Sequence, residues 1–305
     1  MRSRWTAALL VGMAFGLFAI DAHADGVLLA PSKLEAPVRS KLATGISRAR
    51  KSHPVAFQKI RNLRGHRPEA YRHFRSQEPN VLPELQALGP GAGWALLDAI
   101  AFDPLEKGNA TDAEWNAVRE GLLFALGELR MPEASPVLRK IFASSAGDFG
   151  ALRGAAVGLG KLGGDVERTV LFAALRQGGL ERDAALWGLR YVRRPDVVDA
   201  VSPLLSGTSE DTVRLAARTL GYVGSSWAWR TGKAGHAADE MPIRTKCAEA
   251  LLDVYLRYDG AVREQITRSL AMVAHPNVQG MISERLQHVA DDADRRALEA
   301  LKRRM

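Results

Sequence analysis

The residues best suited to bind a ligand lie in one polar stretch, residues 225–241. Two tryptophans stand two positions apart there, and three side chains able to carry positive charge follow them. These candidate binding residues are Trp227, Trp229, Arg230, Lys233 and His236. Trp and Arg are frequent binding hot spots, so the stretch could hold a sugar ring, a peptide or an acidic group. The alternative is structural: one of the two rings folds back and covers a gap between helices.

A second candidate surface is indicated by the distribution of charge. The chain has a formal net charge of +8, and residues 33–75 hold 12 lysines and arginines against Glu35 and Glu69. The candidates for contact with an anionic partner are Arg48, Arg50, Lys51, Arg61 and Arg64. This segment predicts binding to lipid headgroups, an acidic envelope polymer or an acidic protein. The alternative is a solvated basic surface in which some arginines pair with acidic residues of the repeats that follow.

Catalytic and metal-binding patterns are weak throughout the chain. No histidine has the HExxH spacing of zinc proteases, and none has a cysteine partner at zinc spacing. His66 and His73 are seven positions apart, but Gly65 and Pro68 interrupt the helix that would bring them together. Nucleotide-binding and serine-hydrolase fingerprints are also missing, and Cys247 lies in an apolar helical stretch that favours a buried, inert thiol. The sequence therefore predicts no catalytic residue, no metal site and no cofactor.

The elements that must position these residues follow a repeat of about 31 residues. Six leucines mark it, at Leu126, Leu159, Leu189, Leu220, Leu270 and Leu301. A small residue precedes each of them, which would let a neighbouring helix approach closely. Apolar residues also stand three or four positions before these leucines and three positions after most of them. On a helix with 3.6 residues per turn, these positions form one apolar face. Proline or aspartate then opens a second helix six residues after most of the leucines, so each unit is predicted to be a helix pair.

One unit is longer than the others, because 50 residues separate Leu220 from Leu270. The additional length of this unit, compared with the period of about 31 residues, matches residues 225–241. We interpret this stretch as an insertion between two paired helices. Pro242 is then predicted to open the second helix. Upstream, helical spacing predicts that residues 33–75 are basic amphipathic helices that pack on the first repeat, with Val55 among their core residues. Trp94, Trp115 and Trp187 lie on periodic apolar faces and are predicted to be core.

The segments Leu152–Gly163 and Val213–Gly224 resemble the first helix of HEAT-like repeats, including those of phycobilisome lyase relatives. The resemblance covers about residues 78–305. It implies an all-α fold, an α-solenoid of stacked antiparallel helix pairs, because one pair cannot bury its apolar face alone. Most members of this family provide binding surfaces, so the resemblance implies a non-catalytic scaffold that engages a protein or an anionic envelope component. A lyase-type enzyme with a ligand in the concave face is the alternative.

The N-terminus has the layout of a secretory signal peptide. Arg2 and Arg4 precede an uncharged, mostly apolar run over residues 6–20, and small residues stand at the positions that a signal peptidase reads before a cut after Ala24. A retained membrane anchor is the alternative, although the run is shorter than the roughly 20 residues that a bilayer requires. The predicted organisation is a signal peptide at 1–24, a basic helical lead-in at 25–77 and the repeats at 78–305. Export predicts a periplasmic or secreted protein, without nucleic acid as a partner and without a transmembrane span in the mature chain.

Overall fold

The computed structural model describes residues 28–63, 85, 87–89, 91–230 and 237–305. This part of the chain folds into helices joined by turns and loops, and it contains no strand. Three predicted segments lie outside the described residues: the signal peptide, residues 64–77 of the basic lead-in with His66 and His73, and most of the helix that the sequence predicts over residues 81–89.

Eight of the described helices lie before residue 190. They are α1 (Ala36–Ser52), α2 (Pro54–Arg61), α3 (Ala92–Ala101), α4 (Asp112–Glu128), α5 (Ser135–Ser144), α6 (Phe149–Leu162), α7 (Asp165–Gln177) and α8 (Gly179–Leu189). The remaining helices are α9 (Pro195–Val201), α10 (Glu210–Val223), α11 (Ser226–Arg230), α12 (Glu240–Asp253), α13 (Gly260–Val273), α14 (Val278–His288) and α15 (Asp292–Arg304). A 3₁₀ segment, Ser202–Ser206, extends α9.

The helices pack in two rows. In the first row α4 contacts α6, α6 contacts α8, α8 contacts α10, and α10 contacts α13. In the second row α5, α7, α9, α12 and α14 follow one another in the same way. Cross-contacts such as α5 on α6, α7 on α8 and α12 on α13 join the two rows. The lead-in helices α1 and α2 pack on α3, which packs on α4.

The leucine positions predicted from the repeat are the centre of this packing. All six, from Leu126 to Leu301, are fully buried. The small residues before them allow the close helix approach that the sequence predicts. At Gly188, for example, an added Cβ would lie 2.7 Å from the carbonyl carbon of Ala156 on the neighbouring α6. The apolar rhythm therefore determines which face of each helix is buried, and the small residues determine how closely the helices approach.

Local capping explains several helix starts. Thr111 caps α4 by accepting a hydrogen bond from the Glu114 backbone, and the Glu114 side chain accepts one from the Thr111 backbone. This is the capping box that the sequence Thr-Asp-Ala-Glu at 111–114 predicts. Asp148 caps α6, and Asp291 caps α15 through the backbone N–H groups of Ala293 and Asp294. Helix α12 begins at Glu240 and not at the predicted Pro242, because the 3₁₀ turn at residues 237–239 leads directly into it.

Two predictions about core residues were wrong. Val55 is exposed, because α2 turns Ala56, Phe57 and Ile60 inward. Trp94 is only half-buried, whereas Trp115 and Trp187 are buried as predicted. Residues in one periodic run can thus differ in exposure, since the rotation of a short helix is set by the helix on which it packs.

The C-terminus of α13 contains a residue in an unfavourable backbone conformation. Ala274 has φ 45°, in the left-handed region that costs a residue with a Cβ about 1–2 kcal/mol. Glycine is the usual residue at this helix-ending position. We expect Ala274→Gly to raise the free energy of unfolding by about 1 kcal/mol, measured by urea denaturation. An unchanged or lower stability would contradict the described conformation of this turn.

Candidate functional site

The basic residues of α1 line an open cleft of about 540 Å³. Its walls are Pro37, Ser40, Lys41, Thr44, Gly45, Arg48, Trp94 and Glu133, and we call it the α1 cleft. The α1 residues recur every three or four positions, so they share one helix face. The opposite face buries Leu42, Ile46 and Ala49. The cleft therefore follows from the amphipathic pattern of α1.

An aromatic wall and unpaired cations give the α1 cleft its chemistry. Trp94 lies directly against α1 because Gly45 has no side chain; an added Cβ there would lie 2.9 Å from Cε3 of the indole. Lys41 and Arg48 are exposed and form no ion pair with another described residue. Glu133 is the single carboxylate among the residues lining the cleft. Two free cations beside an indole face suit an anionic group attached to an apolar or ring-shaped body.

Two of the predicted basic candidates are engaged within the protein. Arg50 forms an ion pair with Asp98, which is buried, and Arg61 contacts Asp103 with Nη2–Oδ2 at 2.6 Å. Burial raises the pKa of Asp98, and the hydrogen bond from Arg50 opposes that rise. These contacts attach the lead-in to α3 and to the loop after it, as the structural alternative predicted for some arginines. Lys51 is exposed in the last turn of α1, and Arg64 lies outside the described residues.

A smaller basic groove of about 220 Å³ continues along the start of α1. Its lining includes Lys33, Arg139 and Lys140, with Glu35 as the acidic residue. The Nε atom of Arg139 is buried and has no hydrogen-bond partner. The positive surface of the lead-in thus extends onto α5 of the repeats.

The two tryptophans of the insertion differ in their exposure to solvent. Trp227 on α11 is 69% exposed, whereas Trp229 is 9% exposed and belongs to the core. Arg230 is exposed, and Lys233 and His236 lie outside the described residues. The Trp229 ring is therefore unavailable for a two-ring clamp, because it covers the core between helices. Trp227 and Arg230 stay candidates for contact with a ligand.

A cluster of arginines and aromatic rings on the first row of helices was not anticipated. Arg190 stacks on Trp187, with its guanidinium carbon 3.5 Å from the ring centre, and lies 5.2 Å from the ring of Tyr222. Arg153 lies 4.7 Å from Trp187, and Arg218 lies 5.8 Å from it. We call these five residues the Trp187 cluster. Three guanidinium groups therefore surround one indole.

The contacts of the Trp187 cluster run sideways between equivalent turns of neighbouring helices. Arg153 on α6 donates to both carboxylate oxygens of the buried Glu120 on α4, with Nη2–Oε2 at 2.8 Å. About two turns further along α6, the buried Lys161 pairs with Glu128 on α4 and lies 4.6 Å from the ring of Tyr191, just after α8. Arg153, Lys161 and Arg190 each face an aromatic ring, and Arg153 and Lys161 also pair with a carboxylate.

One signal in the sequence could have pointed to this cluster. The residue directly after the repeat leucine is glycine in three units, at positions 127, 160 and 221, but it is Arg190 in the unit between them. A large cation where sister units have no side chain marks a position with a special role. We interpreted Trp187 only as core, which is correct for its burial but leaves out its arginine neighbours.

Cys247 has the properties predicted for an inert thiol. It is fully buried, and burial raises its pKa to about 12. Because the thiolate is the reactive form, we expect native protein at pH 8 to react with a disulfide reagent at least about 100-fold more slowly than protein unfolded in guanidinium. Release of the coloured thiol from the reagent measures both rates. Rapid reaction of the native protein would show that this core opens readily.

Within the described ranges, no group of three or more His, Cys, Asp or Glu residues is placed to hold a metal ion. No helix in those ranges combines the length and apolar character needed to cross a bilayer. Compared with known proteins, the chain matches no family model, and no curated protein is similar enough to count as a relative.

Proposed function

We propose that this chain is an exported, HEAT-like helical-repeat protein that acts as a non-catalytic binding scaffold. The support for the architecture is the regular packing of α4 to α14 in two rows, with fully buried leucines at the repeat positions. Stacked pairs of this kind give an extended surface, and fold alone does not fix what that surface binds.

The proposed partner is an anionic component of the cell envelope, bound at the α1 cleft. The observation that carries this proposal is the pairing of two unpaired cations, Lys41 and Arg48, with the Trp94 indole in one open groove. Indole rings favour sites that are apolar at one end and wet at the other, and lysine and arginine attract anionic headgroups. Arg50 and Arg61 contribute less to the proposal, since internal carboxylates already neutralise them.

Charge reversal at Lys41 and Arg48 tests this proposal. Each cation near an anionic surface is worth about 1 kcal/mol, so Lys41→Glu with Arg48→Glu should weaken binding to phosphatidylglycerol-containing vesicles about 30-fold or more. Sedimentation with such vesicles, and with neutral phosphatidylcholine vesicles for comparison, measures the fraction of protein bound. The matched control is Arg296→Glu with Arg303→Glu, the same charge change on exposed residues of α15.

The outcomes separate the possible partners. Equal loss in both double variants would mean that net charge alone drives binding, and it would contradict a role for the α1 cleft. No vesicle binding by the wild type would reject the lipid as partner. Retention of an acidic protein from an envelope extract, lost in the α1 variant alone, would identify a protein partner at the same cleft.

Export is tested separately. We expect the mature protein to begin at Asp25, as measured by intact mass and N-terminal sequencing of material from a periplasmic fraction. A chain that still begins at Met1 in the cytoplasm would contradict export, and the envelope would no longer be the place to look for the partner. The alternative of a lyase-type enzyme stays a prediction.

A further inference from the structure

Arg190 is the most unusual charged residue in the described part of the chain. Its side chain is on the first row of helices, only 2% of the residue is exposed, and it forms no ion pair with any described carboxylate. Two of its nitrogens, Nε and Nη2, are buried and have no hydrogen-bond partner among the residues that the structure describes. Burying a charged group without hydrogen-bond partners costs more free energy than the 1–3 kcal/mol typical of a buried neutral donor. The presence of a charged side chain at this position therefore needs an explanation.

The unpaired atoms have the geometry of a specific recognition site. Nε and Nη2 form one edge of the planar guanidinium, and their N–H groups point the same way. That edge matches the two oxygens of a carboxylate in a bidentate contact. The ring centre of Trp187 lies 3.5 Å from the guanidinium carbon, and that of Tyr222 lies 5.2 Å from it. The rings therefore fix the orientation of the group and leave the edge as its free hydrogen-bonding side.

The surroundings of Arg190 favour an incoming anion. Arg218 and Arg153 are the neighbouring cations, and both lower the pKa of Arg190, which burial alone already depresses; together they bring it to about 9. Arg190 is therefore still charged at neutral pH. Glu120 is not available to neutralise it, because both of its oxygens accept hydrogen bonds from Arg153.

We propose that Arg190 binds a carboxylate through Nε and Nη2, with Arg218 as a second cation and Trp187 and Tyr222 as the aromatic walls. Both nitrogens are sealed in the described conformation, so entry requires a neighbouring side chain to move. Arg218 and Tyr222 are half-buried and reach the surface, and they are the side chains expected to move. This site is distinct from the α1 cleft and does not depend on the envelope partner proposed there.

The carboxylate can come from a small acid or from an acidic segment of a protein, and two probes distinguish these sources. Succinate represents the free acid, and a peptide of alternating glutamate and glycine represents the protein segment, with its glutamine counterpart as control. Isothermal titration at fixed ionic strength measures the dissociation constants. Binding of succinate indicates a small-molecule site, whereas binding of the glutamate peptide alone indicates a protein ligand.

Two substitutions at Arg190 test the geometry. Arg190→Lys keeps the charge beside Trp187 but loses the two-nitrogen edge, and Arg190→Met keeps the approximate length without charge. We expect both to bind the probe at least tenfold more weakly than wild type. Arg190→Met should also melt at the same temperature as wild type or higher, because it removes an uncompensated buried charge. The control Arg214→Met removes an exposed arginine of α10 and should bind as wild type does.

The contradicting results are specific. If neither probe binds the wild type, or if Arg190→Lys binds as tightly as wild type, the proposed carboxylate contact is wrong. A lower melting temperature in both Arg190 variants together with unchanged binding would assign the residue a purely structural role against Trp187. Titration of the Lys41→Glu, Arg48→Glu variant separates the two proposals, because it should bind these probes normally even though its vesicle binding is lost.

Discussion

Gly160→Ala is expected to lower the free energy of unfolding by about 3 kcal/mol, although alanine is the better helix former. The backbones of α6 and α8 touch at this point: an added Cβ would overlap the carbonyl oxygen of Gly188 and lie 2.6 Å from its carbonyl carbon. Overpacking usually costs about 1–3 kcal/mol. The upper end applies here because a backbone carbonyl, unlike a side chain, cannot rotate away. The melting temperature should fall by about 6–12 °C.

A matched control exists in the same helix. Gly150 lies in the first turn of α6, and an added Cβ there would be 3.5 Å from the Asp148 side chain, an ordinary contact. Gly150→Ala should therefore leave stability unchanged or raise it by about 0.5–1 kcal/mol, the usual gain of alanine over glycine in a helix. Urea denaturation of the two variants gives the comparison. Equal effects at the two positions would mean that α6 and α8 are not in backbone contact.

Glu120→Leu is expected to cost about 3–5 kcal/mol, the loss typical of breaking a buried ion pair from one side. Glu120 is 4% exposed, and it is the carboxylate that neutralises Arg153 beside Trp187. Without it, Arg153 becomes a second buried cation near Arg190. The double variant Glu120→Leu, Arg153→Met should recover more than half of the loss, because replacing both members of a buried pair is often close to neutral.

An exposed ion pair between two helices provides the comparison. Asp199 on α9 contacts Lys246 on α12 with Nζ–Oδ1 at 2.8 Å, and both side chains are largely exposed. Asp199→Leu should cost less than about 1 kcal/mol, as is usual for surface pairs. Thermal and urea denaturation measure the stability of the wild type, Glu120→Leu, the double variant and Asp199→Leu. If the double variant is as unstable as Glu120→Leu alone, the loss of stability comes from altered packing between α4 and α6 and not from the unpaired charge of Arg153.

The two proposed sites differ in how the fold produces them. The α1 cleft arises from one amphipathic helix whose polar face stays open beside Trp94. The Trp187 cluster needs three neighbouring helices, since α6, α8 and α10 each contribute a cation or a ring at the same height. Helices that stack in one row favour the second kind of site, because corresponding turns of successive helices become lateral neighbours.

The amino-acid sequence determined the helical elements and the buried leucines. It predicted the capping box at Thr111 and the buried apolar faces that carry Trp115, Trp187 and Cys247. These features depend on residues within one or two turns of each other: the 3.6-residue period, proline and side-chain caps act locally. Pro242 was the exception, because the helix starts two residues earlier, at Glu240.

Only the tertiary structure decided which charges pair and which rings are exposed. Arg50 meets Asp98 across 48 positions of sequence, and Arg190 meets Tyr222 on the next helix of its row. Trp227 and Trp229 are two residues apart, yet one is exposed and the other buried. The reason is that each of these outcomes depends on the rotation and height of one helix against another. That alignment comes from side-chain packing between elements, and local periodicity does not contain it.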